Sequence, residues 1–204
     1  MTRAGIVGAG FSATSHIDAL RRVGVEVAAV VASTEDKAYA IADRYGIPKA
    51  ASHYEEVLAD DDIGAIHNCT PNYLHAEINE AALRAGKHLL SEKPLGMSSA
   101  ETARLAALAD EVDTVTAVCF NYRHYPLVRQ AREMLDAGSL GPPHFIHGDY
   151  LQDWLLYGSD WNWRLEKDKA GGSRALADIG SHWLDLVQYL LQDHVTEVLG
   201  RLGT

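Results

Sequence analysis

Two hydrophobic periods alternate along the first 120 residues. Short runs rich in β-branched and small apolar side chains, at 4–7, 25–31, 63–69, 88–91 and 114–120, suit buried parallel strands, with a shorter run at 49–52. Between them, apolar residues recur three and four apart. In the stretch 35–45, Ala38, Ile41, Ala42 and Tyr45 share one helical face, Ser33 and Thr34 are available as caps, and Gly46 stands just past the end. The stretch 72–85 repeats the plan, with Asn72 as cap, Leu74, Ile78, Ala81, Ala82 and Ala85 facing inward, and Gly86 as stop. Ser98 and Glu101 form a capping-box pattern ahead of Leu105, Leu108 and Ala109. Strand and helix periods in strict alternation predict βαβ units, and so an α/β fold with a doubly wound parallel sheet.

Past Phe120 the texture changes. Residues 121–126 read as a polar and aromatic loop, and a helix begins with Pro126 in its first turn and ends at Gly138. A strand is expected at about 143–151, then a long loop holding Trp154, Trp161 and Trp163, then Gly171 and Gly172 ahead of a helix over 176–192. Loops of more than about 15 residues are usually functional or mobile. The pattern predicts two domains, 1–120 and 121–204, the second beginning an α+β architecture.

Composition narrows the partners. With 47% apolar and 23% charged residues the chain can bury a core, which excludes disordered and fibrous classes. Acidic residues outnumber basic ones 28 to 18, and a formal charge of -10 repels a phosphate backbone, so no nucleic-acid partner is expected. No apolar run reaches the roughly 18 residues of a membrane span, and no basic-then-apolar leader follows Met1; a cytoplasmic chain without membrane contact is expected. Cys69 and Cys119 sit in or beside apolar runs, where small buried thiols are ordinary, and neither has a second cysteine at metal-ligand spacing. No disulfide and no metal site are expected.

The chemistry gathers at the strand ends. Gly8, Gly10 and Ala13 have the spacing G-x-G-x-x-A between the first strand and first helix. Such glycines let backbone approach a pyrophosphate, which rests on free N–H groups at the helix N-terminus, here those of Phe11, Ser12 and Ala13. The expected ligand is therefore NAD or NADP, in a Rossmann domain. About 20 residues past that motif, where NAD-binding sites place an acidic residue on the ribose, the chain has Ser33 and Thr34. Neither repels a 2'-phosphate, which tilts the expectation toward NADP, although no arginine stands beside them; Glu35 and Asp36 serve equally well as first-turn acids. Glu92, Lys93 and Pro94 follow a strand and lie at the carboxyl edge of the sheet, where such folds bind ligands. Asp178 and His182 are four apart on a predicted helix, the pairing in which a carboxylate raises and orients an imidazole for proton transfer. Tyr150, Gln152, Asp153, Trp154, Trp163 and Arg164 supply the flat faces and hydrogen-bonding groups that recognise a sugar ring.

Four segments in order carry a resemblance: GAG at 8–10, CTPNYLH at 69–75, EKPL at 92–95 and GGSRALADIGSHWLDL at 171–186, with NYR at 121–123 as a weaker fifth. Together they resemble the Gfo/Idh/MocA family, named for glucose-fructose oxidoreductase and inositol dehydrogenase. The resemblance implies an NAD(P)-dependent oxidoreductase that moves hydride between nicotinamide and a secondary hydroxyl or ketone of a sugar, anhydrosugar or inositol. It implies that Thr70, Pro71, Asn72, His75, Glu92 and Lys93 join the cofactor site. Lys93, Asp178 and His182 are implied as catalytic, with either His182 or Lys93 as the proton acceptor. Tyr122 and Arg123, with Tyr150, Asp153, Trp163 and Arg164, would line the substrate site. The resemblance also implies a homo-oligomer and a mostly antiparallel sheet of which 121–204 holds only the start, with an early strand of it expected at 198–204. Two other functions are open: a non-catalytic regulator that binds dinucleotide or sugar, for which a proton relay is superfluous, and an NAD-dependent glycosidase. Net NAD(P)H formation separates the three, since only the dehydrogenase accumulates it.

Overall fold

In the computed structural model, which describes residues 2–201, the alternating pattern becomes six parallel strands and the helices between them. The order along the chain is β1 (Arg3–Val7), α1 (Phe11–Arg22), β2 (Val27–Val31), α2 (Glu35–Tyr45), β3 (Lys49–Ala51), α3 (Glu55–Leu58) and β4 (Ile63–Asn68). It continues with α4 (His75–Arg84), β5 (His88–Ser91), α5 (Ser99–Glu111), β6 (Thr116–Val118), α6 (Pro126–Asp136), α7 (Lys167–Ala170) and α8 (Ser181–Leu191). The strands lie in the order β3-β2-β1-β4-β5-β6, all parallel, so their carboxyl ends share one edge and the order reverses between β1 and β4. That is the doubly wound order of dinucleotide-binding folds.

The chain divides into two compact units, one of residues 1–119 with 162–174, the other of 120–161 with 175–204. The first unit is cored on both faces of its sheet. On one face Ile6 and Val30 pack with Ala13, Ile17 and Leu20 of α1; on the other Val7 and Val31 meet Ile78, Ala82 and Leu83 of α4 and Leu108 of α5. Alternate strand residues face opposite ways, so strands read as unbroken apolar runs once both faces are covered. Thr34 caps α2 as expected, accepting from the Lys37 N–H, and Gly46 closes it in the left-handed region at φ 57°. Ser98 caps α5 by accepting from the Glu101 N–H at 3.2 Å.

Four expectations are corrected. Asn72 does not cap a helix: residues 72–74 form a 3-10 turn ahead of α4, and the Asn72 side chain donates to the Ala170 carbonyl at 3.2 Å. The helix expected over 176–192 opens with a wider π-turn at Leu176–Gly180 before α8. The strand expected at 143–151 is absent, because a strand requires a ladder partner and no described residue pairs with this segment. The strand start expected at 198–204 is coil as far as residue 201, and 202–204 lie outside the described residues.

In the second unit α6 and α8 are joined by Arg132, which donates to the Tyr189 carbonyl and pairs with Asp136 at 2.8 Å. Both core clusters of buried apolar residues belong to the first unit. Phe145 and Leu151 are 85% and 89% exposed, which leaves little apolar burial to hold the segment that carries them. Hydrogen exchange is therefore expected to leave β1, β2, β4 and β5 protected about a thousandfold or more over residues 143–157, the ratio set by an opening free energy of roughly 4 kcal/mol. Uniform protection in a monomeric sample would contradict this. Among the described residues no helix is long and apolar enough to cross a membrane.

Candidate functional site

Every strand of the first unit delivers its carboxyl end to the same edge, and the candidate cofactor residues follow from that. Gly8 follows β1, Ser33 follows β2, Thr70 and Pro71 follow β4, and Glu92 and Lys93 follow β5. The two motif glycines differ in what requires them. Gly8 has φ +121°, and a Cβ there would lie 2.5 Å from the Cys69 carbonyl oxygen, so the protein's own backbone demands glycine. Gly10 has an ordinary φ of -88°, and a Cβ on it would meet nothing within 4 Å. The space beside Gly10 is what a close-lying ligand would fill. Ala13, fully buried, fits α1 against the sheet, whereas the Phe11 side chain is 88% exposed.

The start of α1 has neither a side-chain cap nor an acidic residue in its first turn, unlike α2 and α5. Its N–H groups, with the positive end of the helix dipole, suit a diphosphate. The residues present thus fit a dinucleotide. Ser33 and Thr34 are both exposed. Thr34 is spent on the cap, while Ser33 Oγ accepts from Lys37 Nζ at 3.2 Å. The cation that sequence spacing did not supply as an arginine is this lysine, one helical turn on.

His75 is buried and engaged on both sides. Its Nδ1 lies 2.6 Å from the Pro94 carbonyl oxygen and its Nε2 2.8 Å from that of Thr70, so the ring ties the loop after β4 to the loop after β5. Beneath these loops runs a polar network that pattern reading missed. Asn68 Nδ2 donates to Asn79 Oδ1 at 2.9 Å, Asn79 Nδ2 donates to Ser91 Oγ at 2.9 Å, and Asn68 Oδ1 accepts from the Thr70 hydroxyl at 2.7 Å. Asn68, Asn79 and Ser91 are each 0% exposed. The available signal was a polar residue at a core-facing position, Asn79 beside Ile78 and Asn68 within an apolar strand. Partnered this way, the network fixes the loops; any one partner removed would orphan the others.

Glu92 shapes the ground around Lys93. Its Oε2 accepts from the Lys93 N–H at 3.1 Å and its Oε1 lies 3.3 Å from His16 Nε2. Burial would push this carboxyl up, but the hydrogen bond and charge of His16, with the N–H and ammonium of Lys93, hold it below the usual carboxylate range. His16 Nδ1 lies 2.9 Å from His67 Nδ1, and burial, aided by His16, lowers His67 to about 4, so that ring is neutral. The Lys93–Pro94 peptide bond is cis. In the same unit, the Arg164 guanidinium lies over the Trp163 ring at 4.6 Å.

In the second unit, His182 is 6% exposed and set among aromatic rings. Tyr122 stacks on it at 4.2 Å between centroids, and Phe120 meets it edge-on at 5.9 Å. The Tyr122 hydroxyl bonds to that of Tyr150. Burial, the Tyr150 contact and the charge of Asp178, among others, raise the Tyr122 phenol well above its ordinary value, so it stays protonated and able to donate. Asp178 lies in the π-turn that leads into α8, one turn before His182. Arg123 is held by Asp185, its Nε donating at 2.7 Å and its Nη2 donating to the second oxygen, which locks the 121–124 turn onto α8. Asp185 is a further residue that pattern reading missed. The Trp154 indole N–H donates to Gln152, and Asp153 is exposed.

Known proteins with this arrangement are numerous. The family model described as "Oxidoreductase family, NAD-binding Rossmann fold" (GFO_IDH_MocA) matches residues 2–120, and the "GFO/IDH/MocA C-terminal domain" model matches 128–204. The chain is 34% identical over 197 residues to levoglucosan dehydrogenase of Pseudarthrobacter phenanthrenivorans, covering 92% of this chain and 50% of that protein. It is 36% identical over 188 residues to D-xylose 1-dehydrogenase (NADP(+)) 2 of Haloferax volcanii, covering 92% and 56%. A solved structure of levoglucosan dehydrogenase in complex with NADH and levoglucosan superposes with a TM-score of 0.87 at 33% identity, over 93% of this chain and 54% of that one. The chain spans about half the length of the curated relatives it matches.

Proposed function

We propose that this chain, which belongs to the Gfo/Idh/MocA oxidoreductase family, carries the cofactor and proton-transfer groups of an NAD(P)-dependent dehydrogenase acting on a secondary hydroxyl of a sugar or anhydrosugar. The observation that carries the cofactor half is the open space at Gly10 beside the uncapped start of α1. Relatives named for levoglucosan and D-xylose support a carbohydrate substrate. The cofactor would lie with its diphosphate over Gly8, Gly10, Phe11, Ser12 and Ala13, with Thr70, Pro71, Asn72 and Glu92 along its path and His75 holding the loops. When bound, nicotinamide supplies the hydride acceptor. The domains proposed are 1–120 for the cofactor and 121–204 for the substrate.

In this reading His182 takes the hydroxyl proton as hydride leaves the adjacent carbon, Asp178 stabilises the resulting imidazolium, and Lys93 binds the same oxygen as it becomes a carbonyl. Tyr122, paired with Tyr150, presents a protonated phenol beside His182, while Arg123 acts through Asp185 to position that turn. Asp153, Trp163 and Arg164 complete the proposed substrate surface. Both cysteines are free thiols, which suits a cytoplasmic setting; a homo-oligomer is proposed for the longer assembly. The test is an absorbance screen of sugars, anhydrosugars and inositols for net NAD(P)H formation. Accumulation supports the dehydrogenase; binding without turnover supports a regulator, and glycoside cleavage without net NAD(P)H a hydrolase.

Ser33 with Lys37 favours NADP. Replacing Ser33 with Asp sets a carboxylate against a 2'-phosphate, and the ratio of NADP to NAD affinity is expected to fall at least about tenfold, or ~1.4 kcal/mol. An unchanged ratio would remove Ser33 from the site.

A further inference from the structure

We propose that His16, Glu92 and Cys119, all in the first unit, form a binding site for one divalent cation of the zinc class. Their ligand atoms lie within 4.8 Å of one another. Tetrahedral zinc, with bonds of roughly 2.0–2.3 Å, holds its ligand atoms about 3.3–3.8 Å apart. The His16–Glu92 separation of 3.3 Å already falls in that range, so the remaining pairs need to close by about 1 Å at most.

Four further features fit an ion. The ligands sit on α1, directly after β5 and directly after β6, elements braced by the sheet rather than by a mobile loop. His16 has an outer partner of the kind metal-bound imidazoles use, since its Nδ1 lies 2.9 Å from His67 Nδ1 while its Nε2 faces Glu92. Glu92 is oriented in turn by the Lys93 N–H. The donor set of thiolate, imidazole and carboxylate selects zinc or cobalt over magnesium or calcium. Binding replaces the Cys119 thiol proton and the His16 Nε2 proton that faces Glu92: the S–H and N–H bonds break, sulfur and nitrogen bond the dication, and both protons leave to solvent. One thiolate and one carboxylate then neutralise the ion. The site shares Glu92 with the proposed cofactor path, and it escaped sequence spacing because its ligands come from three separate elements.

The test is titration of the chelator-treated full chain with Co²⁺. A sulfur-to-cobalt charge-transfer band is expected to saturate at one ion per chain and to bleach when Zn²⁺ displaces the cobalt. Cys119→Ser should abolish the band and weaken Zn²⁺ binding at least about tenfold. His67→Phe, which removes only the outer partner, should keep the band and weaken binding roughly tenfold. A natively folded chain with no saturable band would overturn the proposal, as would a band that persists in Cys119→Ser, which would point to Cys69. Should Cys119→Ser fail to fold, His67→Phe decides: unchanged affinity overturns the site.

Discussion

Lys93→Met and His182→Ala are each expected to lower turnover of the sugar alcohol by roughly two to four orders of magnitude, the usual worth of a positioned proton-transfer group. The measurement is the initial rate of NAD(P)H formation, made in a full-length relative bearing the same residues. The two variants should differ in kind. Removing His182 takes away the proposed base, so the acidic limb of the pH profile of kcat/KM should vanish with it. Methionine at 93 keeps the apolar stem and deletes only the ammonium, so that limb should survive at a lower overall rate. Cofactor affinity should change by less than about threefold in either case, because transition-state contacts rather than ground-state binding are lost. A variant that retains most of its activity would reduce that residue to a wall of the cleft. Loss of the limb in Lys93→Met instead would make Lys93 the proton acceptor.

Gly10→Val is expected to weaken dinucleotide binding a hundredfold or more, about 2.7 kcal/mol, with little change in stability. The reason is the contrast between the two glycines. At Gly10 the backbone is ordinary and the added side chain meets no protein atom within 4 Å, so the folded chain tolerates it while a diphosphate cannot approach. At Gly8 the same substitution would drive a Cβ to 2.5 Å from the Cys69 carbonyl oxygen, at a φ that side chains rarely adopt, and the fold itself would suffer. Gly8 and Gly10 variants thus separate the requirement of the protein from that of the ligand. Nicotinamide fluorescence titration reads the affinity and thermal unfolding reads the stability. Binding of Gly10→Val at parental strength would place the diphosphate elsewhere.

What the sequence determined by itself was everything that rests on local period and local backbone. Apolar runs, caps at Thr34 and Ser98, and the left-handed stop at Gly46 are consequences of neighbours within a few positions, so strands and helices of the first unit could be read directly. The motif spacing also placed the candidate cofactor residues, because a parallel sheet sends every strand's carboxyl end to one edge. Only the tertiary structure decided which polar groups are buried and with whom. In sequence Asn68 and Asn79 stand out only as polar residues at core-facing positions, with no sign of a partner, yet Asn68, Asn79 and Ser91 are each satisfied by the next across β4, α4 and β5. His75 clamps two loops, Arg123 found Asp185, Ser33 found Lys37, and His16, His67, Glu92 and Cys119 met at the sheet edge. The failed strand at 143–151 has the same cause: its residues have the period, but a ladder needs a second segment, and pairing is a property of three-dimensional proximity that no local pattern contains.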